Sequence, residues 1–177
     1  MERNTFIGRA MTDYLIKTRR LSLRHIQESD IHYFKKLDND PEVKAFFPSG
    51  VLDTDELETL IEDYITTYET KNLPCFVVFL SISNAFMGRA YFDMYETGDV
   101  KIGYLFHKRF WHNGYATEVL KALLAWAKHN IETDYIIAYA DKNNKASFKV
   151  MQKCGMKYYR KGVVKDMDSR FYRIKNR

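Results

Sequence analysis

Apolar residues recur along this chain with two spacings, one of about two residues and one of about three to four, and the switches between them mark out the elements. Lys17–Arg24 (KTRRLSLR) alternates and reads as a first strand. Ser29 or Asp30 caps a short helix to about Asp38, with Ile31, Phe34 and Leu37 inward, before Asn39-Asp40-Pro41 breaks it. Asp53 opens a second helix with Glu56 as its reciprocal cap. That helix buries Leu57, Leu60, Ile61, Tyr64, Ile65 and Tyr68, and its acidic outer face is unsuited to anionic lipid. Cys75–Ser81 is continuously apolar, as a strand covered on both faces would be. With Phe86–Met94 and Val100–Phe106, joined through Ser83-Asn84 and Thr97-Gly98-Asp99, it forms an antiparallel meander. A helix follows with Ala116, Val119, Leu120, Leu123, Leu124 and Ala127 on one face, then a strand over Tyr135–Ala140. This strand–helix–strand run requires a right-handed crossover to a parallel neighbour. Asn143 or Asn144 caps a last helix to about Lys153, with Gly155 just past its end. Met156–Val164 and Arg170–Ile174 close the chain as a hairpin around Asp166–Ser169. The order βααβββαβαββ is an α+β pattern, a single domain over residues 17–177 behind an N-terminal extension of residues 1–16.

A chain of 177 residues can bury roughly 70% of its unfolded surface, so the core needs no covalent staple. No apolar run approaches the ~20 residues that span a bilayer, and the first residues lack the apolar core of a secretory signal. The expectation is a cytoplasmic protein with no membrane partner. Cys75 and Cys154 form no metal-like cluster and read as small packing groups in a reducing compartment, so no metal is expected. The net charge of +5 suits either a nucleic acid or a ligand with several phosphates.

Candidate chemistry concentrates at Val100–Glu118 (VKIGYLFHKRFWHNGYATE). A strand feeds a polar loop, and Gly114 opens the helix. The first turn of a helix carries amide protons without internal partners and the positive end of the helix dipole. Gly114 has no Cβ to keep a ligand off the backbone. Neither GxxxxGK[ST] nor GxGxxG is present. On the residues alone, a diphosphate seat at 111–117 and an ordinary strand–loop–helix joint both remain open.

GYLFHKRFWHNGYATEVL resembles motif A of the GNAT superfamily of acyl-CoA N-acyltransferases, and in particular the Rim type, whose loop has the form WGxGYATEAL. Gly114, Tyr115, Ala116, Thr117 and Glu118 match, and His112 stands in place of the first glycine. TRRLSLR (18–24), NDPEV (39–43) and NKASFKVMQKCGM (144–156) resemble further family segments in the same order. The resemblance implies a GNAT-like α+β fold. Its twisted, mixed, mainly antiparallel sheet has about seven strands, with a splayed parallel pair and about four flanking helices. It also implies an acetyl-CoA-dependent N-acetyltransferase without a metal. Pantetheine would pair near Phe106 and His107 and with Asn144, and the pyrophosphate would lie on His112, Asn113, Gly114, Tyr115, Ala116 and Thr117. Ser147 would lie near the thioester sulfur and, with a bound water, would donate a proton to the departing thiolate. Met151 occupies the position where many relatives carry an acid tyrosine, and Lys101 the position where many carry a glutamate. A carboxylate near the last hairpin, Asp166 by count, is the implied base, with Asp93, Glu96 and His107 as alternatives. On the residues alone, Asn144 reads first as a plain helix cap.

The acceptor stays open among a ribosomal or other protein N-terminus, a polyamine, an aminoglycoside and a small amine. An α-amine costs roughly 1 kcal/mol to deprotonate at pH 7 and a lysine roughly 4–5 kcal/mol, so an α-amine needs only a weak base or water. The protein would act as a monomer or homodimer. The reading from another class is a basic RNA- or ribosome-binding module without catalysis. It would use Arg19, Arg20, Lys157, Arg160, Lys161, Lys165, Arg170, Arg173 and Lys175, although no nucleic-acid signature accompanies them.

Overall fold

The computed structural model of the protein describes residues 13–177. Twelve elements follow in order: β1 (Ile16–Lys17), β2 (Leu21–His25), α1 (Ile31–Asp38), α2 (Thr54–Lys71), β3 (Cys75–Leu80), β4 (Ala85–Met94), β5 (Val100–Phe106), α3 (Tyr115–Asn130), β6 (Tyr135–Asp141), α4 (Lys145–Lys153), β7 (Lys157–Val164) and β8 (Met167–Lys175). The strands form one sheet in the order β1-β2-β3-β4-β5-β6-β8-β7. Every pairing is antiparallel except β5 with β6, the pair joined by the α3 crossover.

The helix ends follow local chemistry. Asp53 accepts from the Glu56 amide and Glu56 from the Asp53 amide, both at 2.9 Å, so α2 carries the reciprocal cap its sequence spells. Asp30 precedes α1 but does not cap it. Its carboxylate takes the Gln27 amide at 2.8 Å and both Nη atoms of Arg24, which makes it a tie between β2 and the turn before α1.

Two expectations are corrected. Lys17–Arg24 is not one strand, because the Thr18 hydroxyl accepts the Leu21 amide at 3.0 Å and folds residues 18–21 into a turn. Ile16 and Lys17 come back against Leu23 and Ser22 as a short extra strand, which makes eight among the described residues. The extension's first twelve residues lie outside the described region, while its last residues join the sheet through the Leu15 amide and the Leu23 carbonyl. The final hairpin turns on Lys165–Asp166 alone, with φ of 46° and 64°, the double left-handed geometry of a tight hairpin turn. Strand β8 therefore starts at Met167, and Ser169, expected in the turn, is buried in the sheet.

The sheet is covered on both faces. Alternation sends Val100, Ile102 and Phe106 of β5 toward α3 and α4, where they meet Val119, Leu120, Leu123 and Phe148. Leu105 goes to the other face and packs with Phe34, Leu57, Ile61 and Phe79 beneath α1 and α2. Each such side chain contributes ~1.5–3 kcal/mol on burial. Beneath α1 lies a buried ionic cluster. Arg89 of β4 pairs through both Nη atoms with Asp38, and Lys44 meets the same carboxylate at 3.2 Å. It ties Lys44, in the loop after α1, to the sheet.

The basic residues at the chain's end guard an edge. β7 is the last strand in the sheet, and lysines on such a strand discourage pairing with another chain. The arginines of this hairpin lie over rings, Arg160 on Phe171 at 3.7 Å, Arg173 on Tyr135 at 4.8 Å and Arg170 on Phe148 at 5.3 Å. Lys157, Lys161, Lys165 and Lys175 are exposed.

Candidate functional site

β5 and β6 pair only at Val100–Ile136 and Lys101–Ile137, then separate, although both strands run on. The gap has a donor and acceptor lining that follows from register. The His107 amide donates to the Met87 carbonyl at 2.9 Å, so Lys101, Gly103, Leu105 and His107 turn their main-chain groups toward β4. Tyr104 and Phe106 turn theirs into the gap. The Phe106 carbonyl is taken by the Trp111 indole N–H at 2.8 Å, which leaves the Phe106 amide and both Tyr104 groups facing the opening. His107 was expected among these, and its amide is already spent on β4. Its ring packs edge-on to Phe86, and burial, then Arg109, lowers its pKa.

The loop from β5 to α3 makes one tight turn at Lys108–Phe110 and then unwinds. His112 has φ of 61° and Gly114 φ of 78°, and α3 begins at Tyr115. The Trp111 amide donates to Lys108 and the Glu118 amide to Gly114. Between them, the amides of residues 112–117 have no acceptor among the described residues. A helix mouth leaves its first amides free, and here they lie at exposed or half-buried positions where water or an anion can accept them. A Cβ on Gly114 would meet only Arg20 Nη2, at 3.7 Å. The glycine is required by its positive φ and by access, not by crowding from the protein.

A clamp holds this mouth in place. Glu118, in the first turn of α3, accepts the Thr18 hydroxyl at 2.6 Å, the Arg20 amide at 3.0 Å and Arg20 Nε at 2.7 Å. Arg20 also donates to the Asn113 carbonyl at 3.0 Å and lies 4.3 Å over the Tyr115 ring. Burial works to raise the Glu118 carboxyl, and the bonds from Thr18 and Arg20 outweigh it and hold the pKa below the ordinary value. The sequence motifs contain both residues, yet nothing local says that they meet across 98 positions.

A cavity of about 510 Å³ runs from this mouth through the gap between β5 and β6. Of the expected site residues, Phe106, His112, Gly114, Tyr115, Ala116, Thr117, Asn144 and Ser147 line it. His107, Asn113 and Asp166 are not among its lining. Asn113 works within the loop, its amide nitrogen donating to Trp111 O at 2.7 Å. Asp166 is exposed at the hairpin tip because the turn is two residues long. Asp93 pairs with Lys101 at 2.9 Å, and Glu96 is exposed. Asn144 is the N-cap of α4, accepting the Ser147 amide at 3.1 Å, and it also lines the cavity. The Cys154 thiol leans on the Thr117 carbonyl at 3.6 Å, and burial pushes its pKa up to about 11, which keeps it protonated and poorly nucleophilic. Sequence reasoning passed over Tyr104, the Trp111 indole bond to Phe106 and the clamp. Their only local signals were a tyrosine after Gly103, a tryptophan before the glycine and two charges in separate motifs.

Comparison with known proteins agrees with this geometry. The family model described as an acetyltransferase (GNAT) domain matches residues 20–157. The uncharacterized N-acetyltransferase YnaD of Bacillus subtilis (strain 168) is 26% identical over 151 residues, 85% of each chain. The crystal structure of a GNAT-family acetyltransferase from Bacillus anthracis is 26% identical, with a TM-score of 0.76, over 91% of this chain and 98% of that one. The ribosomal-protein alpha-N-acetyltransferase RimL, solved with coenzyme A, shares the fold at a TM-score of 0.78 and 16% identity, over 92% and 98% of the two chains. A splayed strand pair, a helix mouth of free amides and a family match over most of the chain lead to one conclusion: this chain belongs to the GNAT family of acetyltransferases.

Proposed function

We propose that this protein transfers an acetyl group from acetyl-CoA to the α-amine of a peptide or of a similar acceptor carrying a single amine. The observation that carries the coenzyme part is the run of amides at residues 112–117, which lack acceptors among the described residues at the mouth of the cavity. They suit a diphosphate, and the unpaired main-chain groups of Tyr104 and Phe106 suit the amides of a pantetheine arm.

The character of the acceptor follows from the cavity wall on the α1–α2 face. Val43, Phe46, Phe47, Pro48, Tyr91 and Tyr139 make it largely apolar. Glu42 is its one carboxylate, and Lys108 already holds that group at 2.6 Å. Lys101, paired with Asp93 at 2.9 Å, lies where the β5–β6 pairing ends. A polyamine or aminoglycoside would bring several positive charges to a wall whose one carboxylate is already occupied. A peptide N-terminus brings one amine, a neutral backbone and apolar area. Its α-amine is deprotonated at roughly 1 kcal/mol at pH 7, so solvent water serves as the base. Holding amine and thioester side by side supplies much of the rate.

The test is release of coenzyme A thiol during turnover of acetyl-CoA with a short peptide, spermidine and an aminoglycoside in parallel. The peptide is expected to give the highest kcat/KM. Preference for spermidine would overturn the acceptor assignment, and no thiol release with any amine would overturn the transferase reading.

A further inference from the structure

Two stretches face each other across the α1–α2 end of the cavity. One is the loop after α1, residues 39–53, which contributes Glu42, Val43, Phe46, Phe47 and Pro48. The other is the sheet, where Tyr91 of β4 lies over Gly103 of β5. Lys44 belongs to the loop, yet its side chain is buried and its ammonium meets Asp38 at 3.2 Å. The Phe47 amide closes a turn on the Lys44 carbonyl at 2.9 Å, and the Phe47 ring lies 5.1 Å from the ammonium. Asp38 also takes both Nη atoms of Arg89, which stands two positions before Tyr91 on the same face of β4. Arg89 lies 5.9 Å over the Tyr64 ring, and Tyr64 packs 5.1 Å from Tyr91. A chain of contacts therefore runs behind the groove from one of its sides to the other. For the fold alone, Lys44 is surplus. Asp38 already holds a guanidinium, and a second cation gives the three groups a net positive charge. Burial lowers the Lys44 pKa, and the attraction of Asp38 does not fully offset it. An apolar side chain of similar volume would avoid that cost. What the lysine adds is direction. Apolar contacts hold Val43 and Phe47 to the core without fixing their register, whereas a charged hydrogen bond fixes it. The loop's other long-range side-chain bond, Glu42 to Lys108, joins two exposed groups and holds weakly.

We propose that Lys44 is a positioning residue for the acceptor: through Asp38 and Arg89 it sets the width of the groove between the Phe46–Phe47 turn and Tyr91. This rests on the transferase reading above, with the acceptor entering along this wall. Lys44 lies behind the groove and acts through the rings it places. Its influence falls on the acceptor rather than on the coenzyme, because the amides of residues 112–117 are held by the separate clamp of Glu118 and Arg20.

The test is Lys44→Met, assayed with whichever amine the wild type turns over fastest. The acceptor KM is expected to rise about 5- to 20-fold. In the same variant kcat should stay within about threefold and the Kd for acetyl-CoA within about twofold, the split expected when acceptor binding alone is weakened. The thermal midpoint is expected to hold or rise, because the variant removes a surplus buried charge and leaves Asp38 with Arg89. Lys44→Arg keeps a cation at this position and should return the acceptor KM to within about threefold of wild type. An acceptor KM within about twofold of wild type in Lys44→Met overturns the proposal whatever the midpoint does. A parallel rise in the Kd for acetyl-CoA also overturns it, since the whole cavity would then have loosened. So does a raised acceptor KM that persists in a Lys44→Arg protein of wild-type stability. If Lys44→Met fails to fold, Lys44→Gln is measured against the same limits. Wild-type protein that binds acetyl-CoA yet releases no thiol with any amine overturns the functional reading itself, a result distinguishable because it involves no variant.

Discussion

Replacing Glu118 with glutamine isolates the clamp behind the coenzyme mouth. The carboxylate accepts three hydrogen bonds, one of them from the Arg20 guanidinium at 2.7 Å. A bond to a charged group contributes about 1.5–3 kcal/mol, and glutamine turns part of this contact into donor against donor. The Arg20 side chain is 39% exposed and that of Glu118 is 19% exposed, so solvent screening trims the loss to about 1–2 kcal/mol. If that loss falls on the ordering of residues 113–115, the binding-competent mouth becomes less populated. The Kd for acetyl-CoA then rises about 5- to 30-fold, at 1.4 kcal/mol per tenfold. Isothermal titration of acetyl-CoA into both proteins reads this directly. A thermal midpoint lower by about 2–8 °C should accompany it. The pH dependence has a definite sign. The Glu118 carboxyl is held below its unfolded value, near 4.3 in model peptides, so its contribution is complete above that pH and is lost as the pH falls through the folded value. Wild-type affinity should therefore hold from neutrality to about pH 5 and weaken only in stronger acid, while Glu118→Gln shows no such step. A lower midpoint with Kd unchanged within twofold would refute the reasoning, because the clamp would then support the fold without shaping the mouth.

Three further outcomes follow. Asp38→Asn strands Arg89 and Lys44 as buried cations without their anion and should cost about 3–5 kcal/mol, lowering the thermal midpoint by about 6–20 °C. Burial tends to raise the Asp38 carboxyl, and Arg89 and Lys44 reverse this and hold it low, so its contribution disappears only as pH falls below about 3.9. An acid titration of unfolding checks this, and a variant as stable as wild type would contradict it. Cys154→Ala should keep wild-type turnover within about twofold, since a half-buried thiol titrating near 11 is no nucleophile, and a tenfold loss in a thiol-release assay would show otherwise. Gly103→Ala would set a Cβ 2.5 Å from Tyr91 Cζ and 2.6 Å from its hydroxyl, overpacking the acceptor wall by about 1–3 kcal/mol. Denaturant unfolding and the acceptor KM should both register it, and an unperturbed variant would mean that Tyr91 swings clear.

What the sequence made legible is what neighbouring residues determine. The Asp53–Glu56 cap, the boundaries of β5 and the opening of α3 at Gly114 depend on contacts within a few positions, and they stand as read. The last turn was misplaced because Lys165 and Asp166 adopt positive φ without a glycine to signal it. The break after Lys17 was missed because a threonine hydroxyl, rather than any change in alternation, makes the turn. The clamp and the ionic cluster join residues 98 and 51 positions apart, and no periodicity reports which distant charges will meet.

The central claim is that the amides of residues 112–117 hold the coenzyme's diphosphate, and amide NMR of the 21.0 kDa protein tests it most directly. Titration with acetyl-CoA should move the amide signals of His112 to Thr117 more than any other contiguous run, and pantetheine, which lacks the diphosphate, should leave them in place. Equal shifts with pantetheine, or a largest response elsewhere in the chain, would contradict the account.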